Sequence, residues 1–196
     1  TKPEEQLDLL NDIDIASIRL NRQVGNVLNM SRLDSGMLKP KLDWCDMEEL
    51  ISSIILKLNT SEHEMVYKAA DNLPLFKIDI GFTEQIVLNL LHNATQYTPN
   101  GTTISVMVKH EQQHCYVEVS DNGKGISEAE IPFVFDKFYR IENTKPGGSG
   151  LGLSIVKGFT EAQNGTIEIA NNNQGGVSFT LIIPAETSYL NNLKNE

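Results

Sequence analysis

Cysteine, basic residues and long apolar runs are scarce in this chain of 196 residues. The two cysteines, Cys45 and Cys115, lie far apart and form no Cys-x-x-Cys pair, which argues against a zinc site or a disulfide scaffold and fits a reducing compartment. The excess of 26 Asp and Glu over 16 Lys and Arg gives a net charge of −10, which disfavours general binding to nucleic acid. No apolar run approaches the roughly 20 residues that span a bilayer, and no signal peptide is recognisable.

Two common phosphate-binding motifs are also missing. No Gly-x-x-x-x-Gly-Lys-Ser/Thr sequence occurs, and no strand opens directly into Gly-x-Gly-x-x-Gly. Glycines nevertheless cluster in residues 121–126 and 147–153, and the second stretch leads into a segment with helical periodicity. A glycine turn before a helix N-terminus offers free N–H groups and a positive dipole end to an anion. The chain therefore has a candidate nucleotide site of another type.

The first 40 residues predict a long helical stem. Leu10, Ile13, Leu20, Val24 and Val27 lie on one stripe with a heptad-like spacing, which is suited to packing against partner helices. A glycine and a proline end this pattern just before residue 41. The alternative is a plain surface helix that packs along the same domain.

From residue 41 the pattern changes to short alternating strands and amphipathic helices. Helices are predicted over 47–58, 81–97 and 151–163, and strands over 41–44, 64–68, 75–78, 104–108, 116–119, 166–170 and 177–183. We therefore expect an α+β fold, a two-layer α/β sandwich with helices on one face of a mixed, largely antiparallel sheet. The expected domains are the stem 1–40, the sandwich 41–186 and a C-terminal tail 187–196.

Neutral amide side chains line one face of the predicted helix 81–97. Gln85, Asn89, Asn93 and Gln96 follow one another at steps of four, four and three, so that they share a face. Amide oxygens are hard ligands that suit Mg²⁺ shared with the phosphates of a substrate. A solvated amide face is the alternative for this pattern taken alone.

Two further segments carry candidate binding chemistry. Asp121 follows a strand, and its carboxylate can accept a hydrogen bond from an exocyclic amine, while the neighbouring glycines let a flat base lie against the backbone. The alternative is a turn aspartate before a hairpin-like Asn-Gly. Segment 135–140 mixes aromatic with basic side chains, and the alternative there is an amphipathic helix end whose phenylalanines belong to the core.

Taken together, these motifs resemble the ATP-binding domain of sensor histidine kinases. The matching segments are the N box 85–99, the first glycine box 121–126, the F box 135–140 and the second glycine box 148–153. The resemblance spans roughly residues 44–184 and implies the Bergerat-type ATP-binding fold. Four motifs in this order and spacing are highly specific, whereas any one of them alone is not.

The resemblance implies ATP and Mg²⁺ as cofactors and a role for each matching position. Asn89 would hold Mg²⁺ with Asn93 near the phosphates, Asp121 would bind the adenine amine, and residues 141–147 would form the mobile ATP lid. The implied ATP-binding residues are Asn89, Asn93, Gln96, Tyr97, Asp121, Gly123, Gly125, Ile126, Phe135, Lys137, Phe138, Arg140, Lys145, Gly148, Ser149, Gly150, Leu151, Gly152, Leu153 and Thr180.

Two positions depart from the pattern of the wider superfamily. ATPases of the gyrase, heat-shock chaperone and mismatch-repair types carry a Glu one helical turn before the metal-binding Asn, where it polarises the attacking water. Gln85 stands at that position here and cannot act as a base, which favours transfer to a protein acceptor over hydrolysis. Many relatives have Lys where Gln96 stands, so one phosphate or ribose contact is expected to be weaker.

The end of the stem resembles the second helix of the dimerisation and phosphotransfer hairpin of the same family, through the Arg-Leu-Asp-Ser-Gly sequence of residues 32–36. None of the four histidines stands in the His-Asp/Glu-x-Arg-x-Pro setting of the phospho-acceptor. The resemblance thus implies a protein-histidine kinase whose acceptor histidine lies outside this chain, so that the chain does not phosphorylate itself. The alternatives are an ATPase or serine-directed kinase of the same superfamily, and a non-catalytic dimerisation module.

The resemblance also implies partners and a location. The phosphoryl group would pass on to an aspartate in the receiver domain of a response regulator, and the full-length protein would form a homodimer through the stem. Because the first residue is Thr1 rather than Met, we expect this chain to be a cytoplasmic part of a longer protein held in the inner or cell membrane by upstream segments. Trp44, the acidic helix after it and residues 145–148 resemble potassium-responsive sensor kinases of the Kdp type.

Overall fold

The structure, a computed structural model, describes residues 3–36, 38–58, 62–141, 148–173 and 175–189. The elements along these ranges are α1 Pro3–Asp34, β1 Leu42–Cys45, α2 Met47–Leu58, β2 Glu64–Ala69, β3 Leu75–Asp79, α3 Ile80–Tyr97, β4 Thr103–Glu111, β5 His114–Asp121, α4 Gly152–Ala162, β6 Thr166–Asn171, β7 Val177–Pro184 and β8 Glu186–Ser188. A 3-10 turn at Ile131–Phe133 lies between β5 and α4. Each predicted helix forms, with ends that differ from the sequence prediction by a few residues at most.

Two sheets make up the β layer. The larger sheet has the strand order β2-β4-β5-β7-β6, in which β2 and β4 run parallel and the other neighbours run antiparallel. The smaller sheet has the order β1-β3-β8 and is antiparallel throughout. The expected mixed, largely antiparallel sheet is confirmed. The short strand β8 was not predicted, because three residues are too few for an alternating pattern to be recognised.

The core lies between the five-stranded sheet and the helices α2, α3 and α4. Buried and partly exposed side chains alternate along β4, β5 and β7, as expected for strands with one face packed. Ile104, Val117 and Leu181 are fully buried on the inner face of the sheet, and Ile86 and Ile155 are fully buried on α3 and α4. This packing holds α3 and α4 next to each other, so that the N-terminus of α4 lies beside the amide face of α3.

The start of α3 is anchored by one buried carboxylate. Asp79 is the N-cap residue, and its Oδ1 accepts a hydrogen bond from the backbone N–H of Phe82 at 2.8 Å. Its Oδ2 accepts from the backbone N–H of Lys41 at 2.6 Å, and its own N–H donates to Gln163 Oε1 at 2.9 Å. Asp79 thereby joins the chain before β1, the first turn of α3 and the end of α4.

The stem helix α1 contacts the sandwich at its C-terminal end. Met30 and Leu33 pack against the core, and a Cβ on Gly158 of α4 would lie 2.7 Å from Leu33 Cδ1, so that the stem approaches the backbone of α4 closely. Towards the N-terminus, Leu10 and Ile13 of the predicted seam are 63% and 64% exposed. The N-terminal part of α1, around Leu10 and Ile13, therefore projects from the sandwich. None of the described helices has the length and apolar composition required to cross a bilayer.

We expect Asp79→Ala to lower the free energy of unfolding by about 2 kcal/mol, because the N–H groups of Phe82 and Lys41 both lose their acceptor. Urea unfolding followed by circular dichroism measures this change. Asp71→Ala removes an exposed turn carboxylate and is the matched control, with an expected change within about 0.5 kcal/mol. Equal effects of the two substitutions would contradict the assigned role of Asp79.

Candidate functional site

A cavity of about 480 Å³ opens between α3, the N-terminus of α4, the end of β5 and the stem. The predicted site residues that line this cavity are Asn89, Asn93, Gln96, Tyr97, Asp121, Gly125, Ile126, Arg140, Gly148, Ser149, Gly150, Gly152 and Leu153. The N box and both glycine boxes, which lie far apart in the sequence, therefore meet around one space.

The amide face of α3 forms one wall of the cavity. Asn89 is buried, and its Nδ2 donates to the backbone carbonyl of Gln85 at 2.9 Å. This hydrogen bond turns Asn89 Oδ1 towards the first residue of α4, where a Cβ on Gly152 would lie 3.4 Å away. Asn93 Oδ1 lies 3.7 Å from the same position. Both amide oxygens thus face the N-terminus of α4.

This donor set fits a magnesium ion better than a softer metal. Among the described residues no group of three or more His, Cys, Asp or Glu side chains could hold a metal ion. Mg²⁺ requires few protein ligands, because it keeps several waters and shares the phosphates of its substrate. Asn89 Oδ1, next to a glycine that leaves space, satisfies that requirement.

Asp121 lies at the end of β5, on the floor of the cavity, and is 8% exposed. Its Oδ1 accepts a hydrogen bond from the backbone N–H of Gly123 at 2.8 Å. Burial raises the pKa of this carboxyl, and the backbone N–H groups of Gly123 and Val177 offset part of that rise. The result is a fixed, poorly solvated acceptor that suits an amine donor on a ligand.

The floor next to Asp121 leaves no space for a side chain at position 123. A Cβ on Gly123 would lie 2.9 Å from Asp121 Oδ1 and 2.9 Å from Thr98 Cγ2. Thr98 is held in turn at the end of α3, since its Oγ1 donates to the carbonyl of Ala94 at 2.7 Å and lies 3.1 Å from His63 Nε2. Gly123 does not itself line the cavity, and its lack of a side chain lets the backbone pack against Asp121 and Thr98, which do.

The other side of the first glycine box is held by Asn171, a residue that the sequence did not indicate. Asn171 Oδ1 accepts from the N–H of Ile126 at 2.9 Å, and its Nδ2 donates to the carbonyl of Ile126 at 2.7 Å. Gly125, with φ of +75°, brings its Cα so close that a Cβ would lie 2.7 Å from Asn171 Oδ1. Asn171 ends β6, and only the folded sheet brings it beside residue 126.

The second glycine box packs against the F box and α3. Gly150 has φ of +70°, and its carbonyl accepts from the N–H of Phe138 at 2.9 Å. A Cβ on Gly148 would lie 2.6 Å from the hydroxyl of Tyr97. These close approaches position the loop that leads into α4.

The first turn of α4 is open to an anion. The N-cap residue Leu151 is buried, and its side chain caps no backbone N–H group. The first N–H groups of a helix have no partner within the helix, and the positive end of the helix dipole lies beside them. Gly152 and Leu153 both line the cavity, so this helix end is placed to bind phosphate.

Two F-box residues lie away from the cavity. Lys137 Nζ lies 2.5 Å from Asp34 Oδ1 at the end of α1, so its cation is used in a contact with the stem. Phe138 is 69% exposed, and its backbone, with φ of +64°, lies close to Gly150. The structure therefore does not bring these two predicted ligands to the site.

Phe135 and Thr180 are likewise outside the cavity wall. Phe135 packs edge-on against Phe179, with ring centroids 6.3 Å apart, and so supports a residue that lines the cavity. Thr180 alternates with Phe179 along β7 and therefore points to the opposite face of the sheet. Lys145 lies outside the described residues.

The stem contributes cavity residues that the sequence did not predict. Arg22 and Asn26 of α1 line the cavity, and Arg22 Nη2 donates to Gln96 Oε1 at 3.4 Å. His92 of α3 also lines it, and burial together with the nearby Arg22 lowers the pKa of His92 to about 4. Polar residues on a stem helix have the pattern of a solvated surface, so no local signal assigns them to the site.

We expect Asp121→Asn to become more stable relative to the parent chain as pH rises. A carboxyl with a raised pKa binds more protons in the folded state than in the unfolded state, so its contribution to stability falls as pH rises from the ordinary Asp pKa through the raised one. Urea unfolding at pH 4 and pH 7 measures the difference, with Asp136→Asn, an exposed carboxylate, as the matched control. The same pH dependence in both variants would contradict the assignment.

Residues 78–187, more than half of the chain, match the family described as histidine kinase-, DNA gyrase B-, and HSP90-like ATPase. Sensor protein KdpD of Clostridium acetobutylicum is 33% identical over 185 residues, which cover 91% of this chain and 20% of that protein. Sensor histidine kinase WalK of Bacillus subtilis is 31% identical over 174 residues, which cover 85% of this chain and 28% of that protein. The chain thus spans less than a third of the length of these relatives.

Solved structures share the fold. The crystal structure of full-length ShkA in complex with AMPPNP has a TM-score of 0.79 at 23% identity, covering 94% of this chain and 40% of that one. Acinetobacter baumannii histidine kinase AdeS has a TM-score of 0.72 at 19% identity, covering 95% of this chain and 87% of that one. The family match agrees with the motifs: the chain belongs to the histidine kinase-, DNA gyrase B- and HSP90-like ATPase family, and over most of its own length it is similar to curated sensor histidine kinases.

Proposed function

We propose that this domain binds Mg–ATP in the cavity and transfers the γ-phosphoryl group to a histidine outside this chain, for relay to an aspartate of a response regulator. The observation that carries the proposal is the meeting of Asn89, Asp121 and the 148–152 loop around one space. The first supplies an amide oxygen, the second a buried carboxylate, and the third a helix N-terminus, and each suits a different part of a nucleotide.

The adenine end of the site lies at Asp121. Its carboxylate accepts a hydrogen bond from the exocyclic amine of the base, and the glycines at 123 and 125 shape the floor on which the flat ring lies. Val119 and Phe179 also line the cavity and supply apolar surface for the base. A ligand with a purine amine is therefore favoured over one without it, because the buried acceptor would otherwise stay unpaired.

The phosphate end lies between Asn89 and the first turn of α4. The N–H groups of that turn bind phosphate oxygens, and Asn89 Oδ1 holds the metal. Mg²⁺, when bound, neutralises phosphate charge in the transferred group. Gln85, one turn before Asn89, offers no carboxylate to activate water. The bound γ-phosphoryl group is therefore positioned for transfer to an acceptor side chain rather than for hydrolysis.

The settings of the four histidines support an acceptor outside this chain. His63 is buried against Thr98, and His92 lines the cavity with a pKa lowered to about 4. His110 and His114 lie in β4 and β5, each with one ring nitrogen buried and unpaired within the described residues. None of the four lies on α1, the helix whose exposed apolar seam is suited to dimerisation.

The wider assembly follows from the same proposal. The exposed seam of α1 pairs with a second copy in a homodimer of the full-length protein, and segments upstream attach that protein to the inner or cell membrane. This domain then acts in the cytoplasm on the receiver domain of its response regulator. Similarity to KdpD from Clostridium acetobutylicum and from Escherichia coli, 33% and 30% identical, supports a potassium-responsive type.

Titration of a fluorescent ATP analogue with Mg²⁺ tests the site. We expect Asn89→Ala to weaken binding by about tenfold when Mg²⁺ is present and by less in EDTA, because the lost oxygen acts through the metal. Asn100→Ala, an exposed residue beyond the end of α3, is the matched control and should bind like the parent. No binding by the parent chain would overturn the proposed function.

Incubation with γ-³²P-ATP tests the direction of transfer. We expect no acid-labile, base-stable label on this chain and slow release of free phosphate, since Gln85 supplies no general base and no acceptor histidine is present. Label should appear on an added polypeptide that carries the acceptor hairpin of a sensor kinase. Rapid hydrolysis without that acceptor would favour an ATPase of the same superfamily instead.

A further inference from the structure

We propose that Arg22 of the stem binds the phosphate groups of the nucleotide, an inference that rests on the proposed function. Arg22 lies on α1, well before the residues that anchor this helix to α4, and it lines the cavity together with Asn26 one turn further on. The nucleotide site is then built from two parts of the chain, and the stem supplies a ligand.

Arg22 lies beside the part of α3 that faces the second glycine box, the loop proposed to hold the phosphates. Its Nη2 donates to Gln96 Oε1 at 3.4 Å. Gln96 Nε2 lies 3.6 Å from the position of a Cβ on Gly148, the first described residue of the second glycine box. Arg22 therefore reaches the place where the amide wall of α3 meets the loop before α4.

Binding of a triphosphate at the amide face of α3 requires a cation that α3 itself does not provide. Asn89, Asn93 and Gln96 are uncharged, and His92, with a pKa of about 4, is neutral at pH 7. A nucleoside triphosphate brings several negative charges to this wall. Arg22 lines the cavity beside Gln96 and supplies a cation to this wall, in addition to Lys124 and Arg140, which line the cavity from other segments.

The surroundings of Arg22 leave its charge open to a ligand. It is partly buried, and no carboxylate in the described part of the chain forms a salt bridge with it. Burial and the nearby Arg19 lower the pKa of Arg22, which means that both disfavour its charged form. A bound phosphate would offset that cost by pairing with the cation. The guanidinium has five N–H donors, and the contact with Gln96 uses one of them. The remaining donors suit the bidentate geometry that Arg forms with phosphate oxygens.

Because Arg22 belongs to the stem, nucleotide affinity becomes coupled to stem docking. Met30 and Leu33 hold the stem on α4, and Asp34 pairs with Lys137 of the F box. A nucleotide that contacts Arg22 stabilises the docked stem, and a docked stem raises nucleotide affinity by the same factor. Movement of the stem away from α4 would then lower the affinity of the domain for the nucleotide.

Competition by ATP and by AMP against the fluorescent ATP analogue tests the role of Arg22. We expect Arg22→Glu to weaken ATP by about tenfold or more and AMP by clearly less, because the lost contact involves phosphates that AMP lacks. Arg22→Lys should keep part of the ATP affinity. Arg32→Glu makes the same charge change at an exposed position of the same helix and should leave both affinities unchanged.

The outcomes separate this inference from the proposed function. Binding of ATP by the parent, with equal losses of ATP and AMP in Arg22→Glu or with no loss at all, would overturn the role of Arg22 alone. Absence of nucleotide binding by the parent would overturn both. If Arg22→Glu unfolds the stem, as judged by circular dichroism, Arg22→Gln provides the same comparison, and an unchanged ratio of ATP to AMP affinity in that variant contradicts the proposal.

Discussion

The close approach of the α4 N-terminus to the amide face of α3 is the constraint on which the site depends. Both helices lie on the same face of one sheet, and a Cβ at position 152 would lie within 3.4 Å of Asn89 Oδ1 and 3.7 Å of Asn93 Oδ1. The sheet beneath them places Asp121 at the other end of the same cavity. A shift between the two helices would separate Asn89 from the first turn of α4, although each element would still be intact.

Several features around the cavity are unfavourable for the stability of the free domain, and each lies where a ligand could pair with it. Asp121 is buried with a raised pKa, Arg22 is partly buried without a carboxylate partner among the described residues, and the first turn of α4 lacks a side-chain cap. Well-packed domains usually avoid such groups except at binding sites. Their concentration around one cavity therefore agrees with a site that is completed by an anionic ligand carrying an amine.

Much of this arrangement is recoverable from the amino-acid sequence because the signals are local. Helical and strand periodicity predicts α2, α3, α4 and most strands, and the two glycine boxes mark the places where the backbone comes close to α3 and to the F box. The predictions for Lys137 and Thr180 went further than local signals allow. Membership of a motif does not determine whether a side chain turns towards the cavity, towards the stem or to the far face of the sheet.

The sequence by itself determined the family, through the order and spacing of four motifs, and the two-layer fold, through the periodicity of each element. It also pointed to Asn89, Asp121 and the second glycine box, which meet around one cavity. Tertiary structure alone decided that Asn171 holds the first glycine box and that Arg22 reaches the cavity from the stem. Both contacts join segments more than 40 residues apart. Such contacts arise from the packing of whole elements, which leaves no periodic trace in either segment.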